Sequence, residues 1–189
     1  MKIVLLICYL LAVPPGVLID RALAVVDKEI ITQTEFYTQA RIALIWHKGE
    51  AAAHAKIEGE LFDSLLEYVI SQHLVAAEVR RLGGVFVPEK ELLKRISEFS
   101  RLFKSRNVFK AFLRRYHLNE EDLRHIMRRR LRNELFIRQR FNLDGPLNFN
   151  KNEKQESASS ENELRNWVRL LRERSVIRIA GFDGQLERQ

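Results

Sequence analysis

The sequence predicts a mainly α fold completed by a small antiparallel sheet. Apolar residues recur every three or four positions through most of residues 33–141 and again over 163–174, a spacing that lays one helix face on a core. Runs rich in β-branched and aliphatic residues stand near the two ends, at 17–31 and 175–180, where they read as strands. An isolated terminal strand is unstable. The economical solution pairs the closing strand with the opening hairpin, so both chain ends meet on one helical body. At 189 residues the chain suits one domain or one with an appendage. Its 46% hydrophobic content excludes a fibrous or fully disordered chain.

Residues 1–16 read as a secretory signal: Met1-Lys2, then an unbroken apolar run from Ile3 to Val13, then Pro14-Pro15-Gly16. The run is too short to span a bilayer. Ala22-Leu23-Ala24 has the small-x-small form of a cleavage site but falls inside the first strand. A cut near Gly16 spares the strand and places Pro14 and Pro15 in the recognition positions. A cleaved signal and an uncleaved anchor both stay open, and either implies export. The sole cysteine, Cys8, lies in this segment. A cleaved chain would therefore have neither disulfides nor thiol chemistry.

Residues 17–31 read as strand, turn and second strand, with Asp27-Lys28-Glu29 at the turn. Thr32 and Glu35 form a capping-box pattern that opens a helix from Gln33 to about His47. Its Ile42–Trp46 stretch is apolar nearly all round, so it needs cover from two directions or is itself a binding face. Ala51–Leu82 reads as one long helix, with Ile57, Leu61, Leu65 and Val69 on its stripe and Gly83-Gly84 at its end. Pro88 suits the opening of the next helix, whose stripe is Leu92, Ile96, Phe99 and Phe103. A short helix carries Phe109, Phe112 and Leu113. Asn119 caps another, with three acids in its first turn and Leu123, Met127, Leu131 and Leu135 on its stripe. Residues 144–162 are polar and read as a flexible linker. A helix from Glu163 to about Arg174 carries Leu164, Trp167, Val168 and Leu171. The closing strand follows, and residues 181–189 read as tail.

The five histidines have no metal-ligand spacing and read as surface or helix-end residues. No phosphate loop, nucleophile elbow or zinc-protease pattern occurs. Neither a cofactor nor a metal is expected. Charge is concentrated in residues 101–140, with thirteen Lys or Arg against four Asp or Glu. Arg124, Arg128, Arg129 and Arg132 form the candidate basic patch. It reads either as a solvated face or as a surface for acidic clients, anionic lipid headgroups or nucleic acid.

Together these segments resemble the core of SurA-type periplasmic chaperones. The likeness runs through Ile19–Thr32, the helix end Ala77–Gly83 with Pro88-Glu89, Phe109-x-x-x-Leu113, Leu118–Leu123 and Trp167–Ile179. It covers about 19–141 and 163–180. The resemblance implies a helical core over 17–143, completed by the helix and strand of 163–180. Parvulin-type prolyl isomerase domains usually sit between these parts in the family. Here the 144–162 segment holds that place, so no isomerase activity is expected. His117 stands where relatives often have glycine at a helix end.

The function expected is an ATP-independent chaperone that holds unfolded polypeptides, outer-membrane proteins among them. Tyr37, Ile45, Trp46, Phe103, Phe112 and Tyr116 are the candidate client contacts, with core packing the alternative for each. A nucleic-acid-binding helical protein and an envelope assembly subunit bound to one partner are the other readings. Export makes nucleic acid the weaker of these. The basic helix offers a contact for a membrane surface.

Overall fold

A computed structural model describes residues 20–143, 156–180 and 186–188. The signal segment of residues 1–16, and residues 144–155 of the expected linker, lie outside the described residues. The described fold is mainly α with a small antiparallel sheet.

Strands β1 (Ala22–Val26) and β2 (Glu29–Thr32) form the hairpin. The turn's positive φ falls on Asp27, at 54°, and spares Lys28. Short polar residues such as Asp tolerate this left-handed geometry. Strand β3 (Ile177–Ala180) pairs antiparallel with β1, setting Val26 opposite Ile177 and Ala24 opposite Ile179. Asp27 fastens this junction. Its N–H donates to the Val176 carbonyl, and its carboxylate accepts from the Val176 N–H, each at 2.8 Å. The chain ends therefore meet as the sequence predicts. Residues 186–188, expected as tail, form strand β4 (Leu186–Arg188) against β3, so the sheet order is β2-β1-β3-β4.

Helix α1 (Gln33–Lys48) starts at Thr32, whose hydroxyl accepts from the Glu35 N–H at 3.2 Å. The expected capping box is only half present, because the Glu35 carboxylate is engaged in the interior instead. The long helix expected from Ala51 is broken. A 3-10 turn (Glu50–His54) precedes α2 (Glu60–Arg81), and Gly59 takes a positive φ of 57° between them. Apolar spacing carries across this break because Ile57 is buried from a loop.

Helices α3 (Glu89–Arg101), α4 (Arg106–Arg115) and α5 (Glu120–Phe141) follow the expected pattern. Asn119 and Asp122 form a full capping box at the head of α5. His117, just before it, has a φ of 52°, the geometry that a glycine at this place supplies at least cost. Helix α6 (Glu156–Arg174) begins seven residues before its expected start, so 156–162 are helix and not linker. Among the described residues, no helix is long and apolar enough to cross a membrane.

Two apolar clusters share α1. Phe36, Ala40 and Leu44 face the sheet, α2 and α6, with Trp167 and Ile177 in the same cluster. Ile42 and Ile45 face α3, α4 and α5, among Phe99, Phe103 and Phe112. This double cover explains why α1 is apolar nearly all round.

The sheet's inner face is load-carrying in a testable sense. Ile177 is 2% exposed and Ile30 57%. Ile177→Ala should cost about 2–4 kcal/mol in denaturant unfolding, and Ile30→Ala within about 0.5 kcal/mol. Equal effects would place the sheet's packed face on the wrong side.

Candidate functional site

Most of the expected client contacts belong to the core. Ile45, Phe103 and Phe112 are 0%, 6% and 4% exposed, and Phe103 and Phe112 pack at 5.3 Å between ring centres. These three cannot meet a client as free side chains. Close packing of α1 against α3 and α4 uses the apolar surface that the sequence leaves unassigned. Tyr37 is half-buried with its ring edge-on to Phe36 at 5.1 Å. Trp46 is half-buried, stacked on Phe99 at 5.8 Å, and the Arg95 guanidinium lies over its ring at 5.3 Å.

Tyr116 has a specific structural partner. Its hydroxyl accepts from Arg41 Nε at 3.0 Å. The same buried guanidinium donates through Nη1 to the carbonyls of Ala52 and Ala55, at 2.7 and 2.8 Å. A buried cation needs such partners to offset its lost hydration. Arg41 thereby fastens the 3-10 turn and the end of α4 to α1.

The expected basic patch is largely neutralised. Arg124 and Arg128 both pair with Glu89, and Arg124 also lies 3.5 Å from Glu121. Arg129 pairs with Glu35 at 3.2 Å. Arg132 has no ion pair among the described residues and lines a cleft of about 670 Å³ between α1 and α5.

Glu35, Arg80 and Arg129, which line that cleft, belong to a chain of polar contacts that the sequence does not announce. His73, expected as a surface or helix-end residue, is 4% exposed in the middle of α2. Its Nδ1 lies 2.9 Å from Glu29 on β2, and its Nε2 3.2 Å from Glu35 on α1. Arg80 holds Glu29 from the far side, and Arg129 holds Glu35. Gln39 Nε2 donates to Glu35 at 2.7 Å. Basic and acidic side chains thus alternate from α2 through β2, α2 and α1 to α5. Burial pushes the Glu35 carboxyl up. The hydrogen bond and charge of His73, with the Arg129 guanidinium, outweigh burial and hold it below the ordinary value of 4.5.

Each ring nitrogen of His73 faces a carboxylate, and the residue is 4% exposed. The arrangement ties β2, α2 and α1 together. Among the described residues, no group of three His, Cys, Asp or Glu side chains is placed to hold a metal.

A second concavity of about 500 Å³ lies between α3, α4 and the start of α5. Leu93, Ile96, Phe103, Phe109 and Leu113 contribute its apolar lining. Leu93 is 49% exposed and Phe103 6%. Arg106 and Lys110 stand at its rim. This groove is an open concavity of the helical body with an apolar floor. Sequence periodicity assigns its lining to helix stripes and so hides it.

No protein-family model and no curated protein matches the chain.

Glu35 gives a pH test. Its folded-state pKa is lowered, so its stabilising contribution is present above the ordinary carboxylate value and is lost as pH falls through the lower folded value. Glu35→Gln should reduce stability by about 1–3 kcal/mol above roughly pH 5. The difference from the parent should shrink below roughly pH 4. Denaturant unfolding of both proteins across this range checks it. A difference that grows on acidification would contradict the assignment.

Proposed function

We propose that the chain is an ATP-independent holding chaperone for unfolded polypeptides, outer-membrane proteins among them, exported to the periplasm. The observation that carries this reading is the open, apolar-floored groove on a helical body closed by its own chain ends. The pairing of β1 with β3 agrees with the arrangement that the SurA-type resemblance implies. Unfolded outer-membrane segments alternate apolar and polar residues and aggregate through exposed edges. A shallow groove binds such segments weakly, and preferential binding of the unfolded chain opposes collapse by mass action. Release then needs no nucleotide.

The contacts assigned to this role differ from those read in the sequence. Leu93 and Ile96 on α3 and Phe109 on α4 replace the buried Ile45, Phe103 and Phe112. Tyr37, Trp46 and Tyr116 serve packing first. No isomerase activity is proposed.

A second reading is favoured by one observation. Residues 101–118 hold six Lys or Arg and no Asp or Glu, which suits a polyanion such as nucleic acid. Salt-dependent binding of a labelled oligonucleotide, together with failure of export, would favour it.

Light scattering of a urea-unfolded outer-membrane polypeptide diluted into buffer tests the first reading. A severalfold molar excess of the protein should suppress aggregation without ATP. Leu93→Ser should weaken suppression while helical circular dichroism is unchanged. No suppression by the parent protein would end the proposal.

A further inference from the structure

We infer that the α3–α4 groove selects client segments in which an apolar side chain is flanked by Asp or Glu. The inference rests on the holding-chaperone reading and names its substrate class.

Helix α4 is electrostatically unfavourable by itself. Arg106, Lys110 and Arg114 stand at i, i+4 and i+8 on one edge, and all three are exposed. Like charges at this spacing destabilise a helix by roughly 0.2–0.5 kcal/mol per pair. The first turn has no acid, and Arg106 sits at the positive end of the dipole. Arg101 and Lys104, just before the helix, are also exposed. None of these five cations has an ion pair among the described residues. The neighbouring cations behave otherwise: Arg124 and Arg128 on α5 share Glu89. The uncompensated charge thus collects beside the apolar groove.

The acids nearest this surface do not cancel it. Glu121 faces Arg124 and His125. Glu50 accepts from the Lys104 backbone N–H. Glu120 lines the groove at the α5 end, and the Arg106–Lys110 edge lies on α4. A partner that satisfies this surface needs an apolar group for the floor and negative charge beside it.

Three partner classes meet part of that requirement. A polyanion satisfies the cations and leaves the floor unused. A bilayer surface requires a helix whose apolar stripe is free to enter lipid. On α4 that stripe is committed to the core, with Phe112 and Leu113 at 4% and 7% exposure. A polypeptide segment supplies both parts, one side chain in the recess and carboxylates at the rim. Such rim contacts confer selection and encounter rate more than raw affinity.

Fluorescence anisotropy with two labelled peptides tests this on the full chain. One carries Phe and Leu flanked by Glu, and the other has Lys at the same positions. The Glu peptide should bind at least severalfold more tightly, and the advantage should fade at high salt. In the double variant Arg106→Glu, Lys110→Glu the preference should invert toward the Lys peptide, a change that unfolding cannot produce.

Equal binding of the two peptides, or a preference that the double variant leaves unchanged, overturns the inference. So does tighter binding of phosphatidylglycerol vesicles or of a labelled oligonucleotide than of the Glu peptide. If aggregation suppression persists in any of those cases, the chaperone reading stands and only the selection rule falls. If neither peptide binds and suppression is also absent, both fall.

Discussion

The buried imidazole of His73, held between Glu29 and Glu35, is the interaction on which the arrangement of the molecule depends. It joins one strand of the hairpin to the first two helices at a single point. Arg80 and Arg129 extend the same chain of charges outward at both ends. A partly buried polar chain of this kind contributes little net stability compared with an apolar core, because desolvation offsets much of the attraction. Its consequence is geometric. Its contacts hold the hairpin in one register against α1 and α2. The position of β1 then fixes where β3 can pair, and so where α6 lies.

Around that point the chain builds two apolar clusters, with α1 as the wall between them. The cluster under the sheet closes the chain ends, and Trp167 and Ile177 bring α6 and β3 into it. The other cluster gathers Phe99, Phe103 and Phe112 from α3 and α4. It stops short of filling the space between those helices, and the groove is what it leaves. The cations beside the groove contradict the local electrostatics of α4. Such local inconsistencies collect where function competes with stability.

The architecture was legible in the sequence because its signals are local. Helix starts are written in Thr32 and Asn119, each of which accepts a backbone N–H in the fold; the cap at Ser105 was not read. The pairing of the ends followed from the instability of lone strands. The broken helix at Gly59 was not legible, because Ile57 keeps the apolar spacing from a loop. β4 was not legible either, since Leu186–Arg188 is too short and polar to signal a strand.

The candidate site was read less well. Large aromatic side chains mark cores and clefts alike, and only the packed fold separates Phe112 from Phe109. Charge counting found the basic region but not which of its cations are paired. Sequence cannot show that Glu89 lies across from Arg124 and Arg128, 35 and 39 positions away. His73 was missed because its partners are 44 and 38 residues distant.

Hydrogen exchange on the parent protein and on His73→Leu tests the central role of this residue most directly. Leucine replaces the polar ring by an apolar side chain and leaves the two carboxylates without the imidazole between them. The account predicts faster exchange for the amides of β1, β2 and β3 together, with protection in α3 and α4 retained. Unchanged protection across the sheet, or a uniform loss that includes α3 and α4, would contradict it.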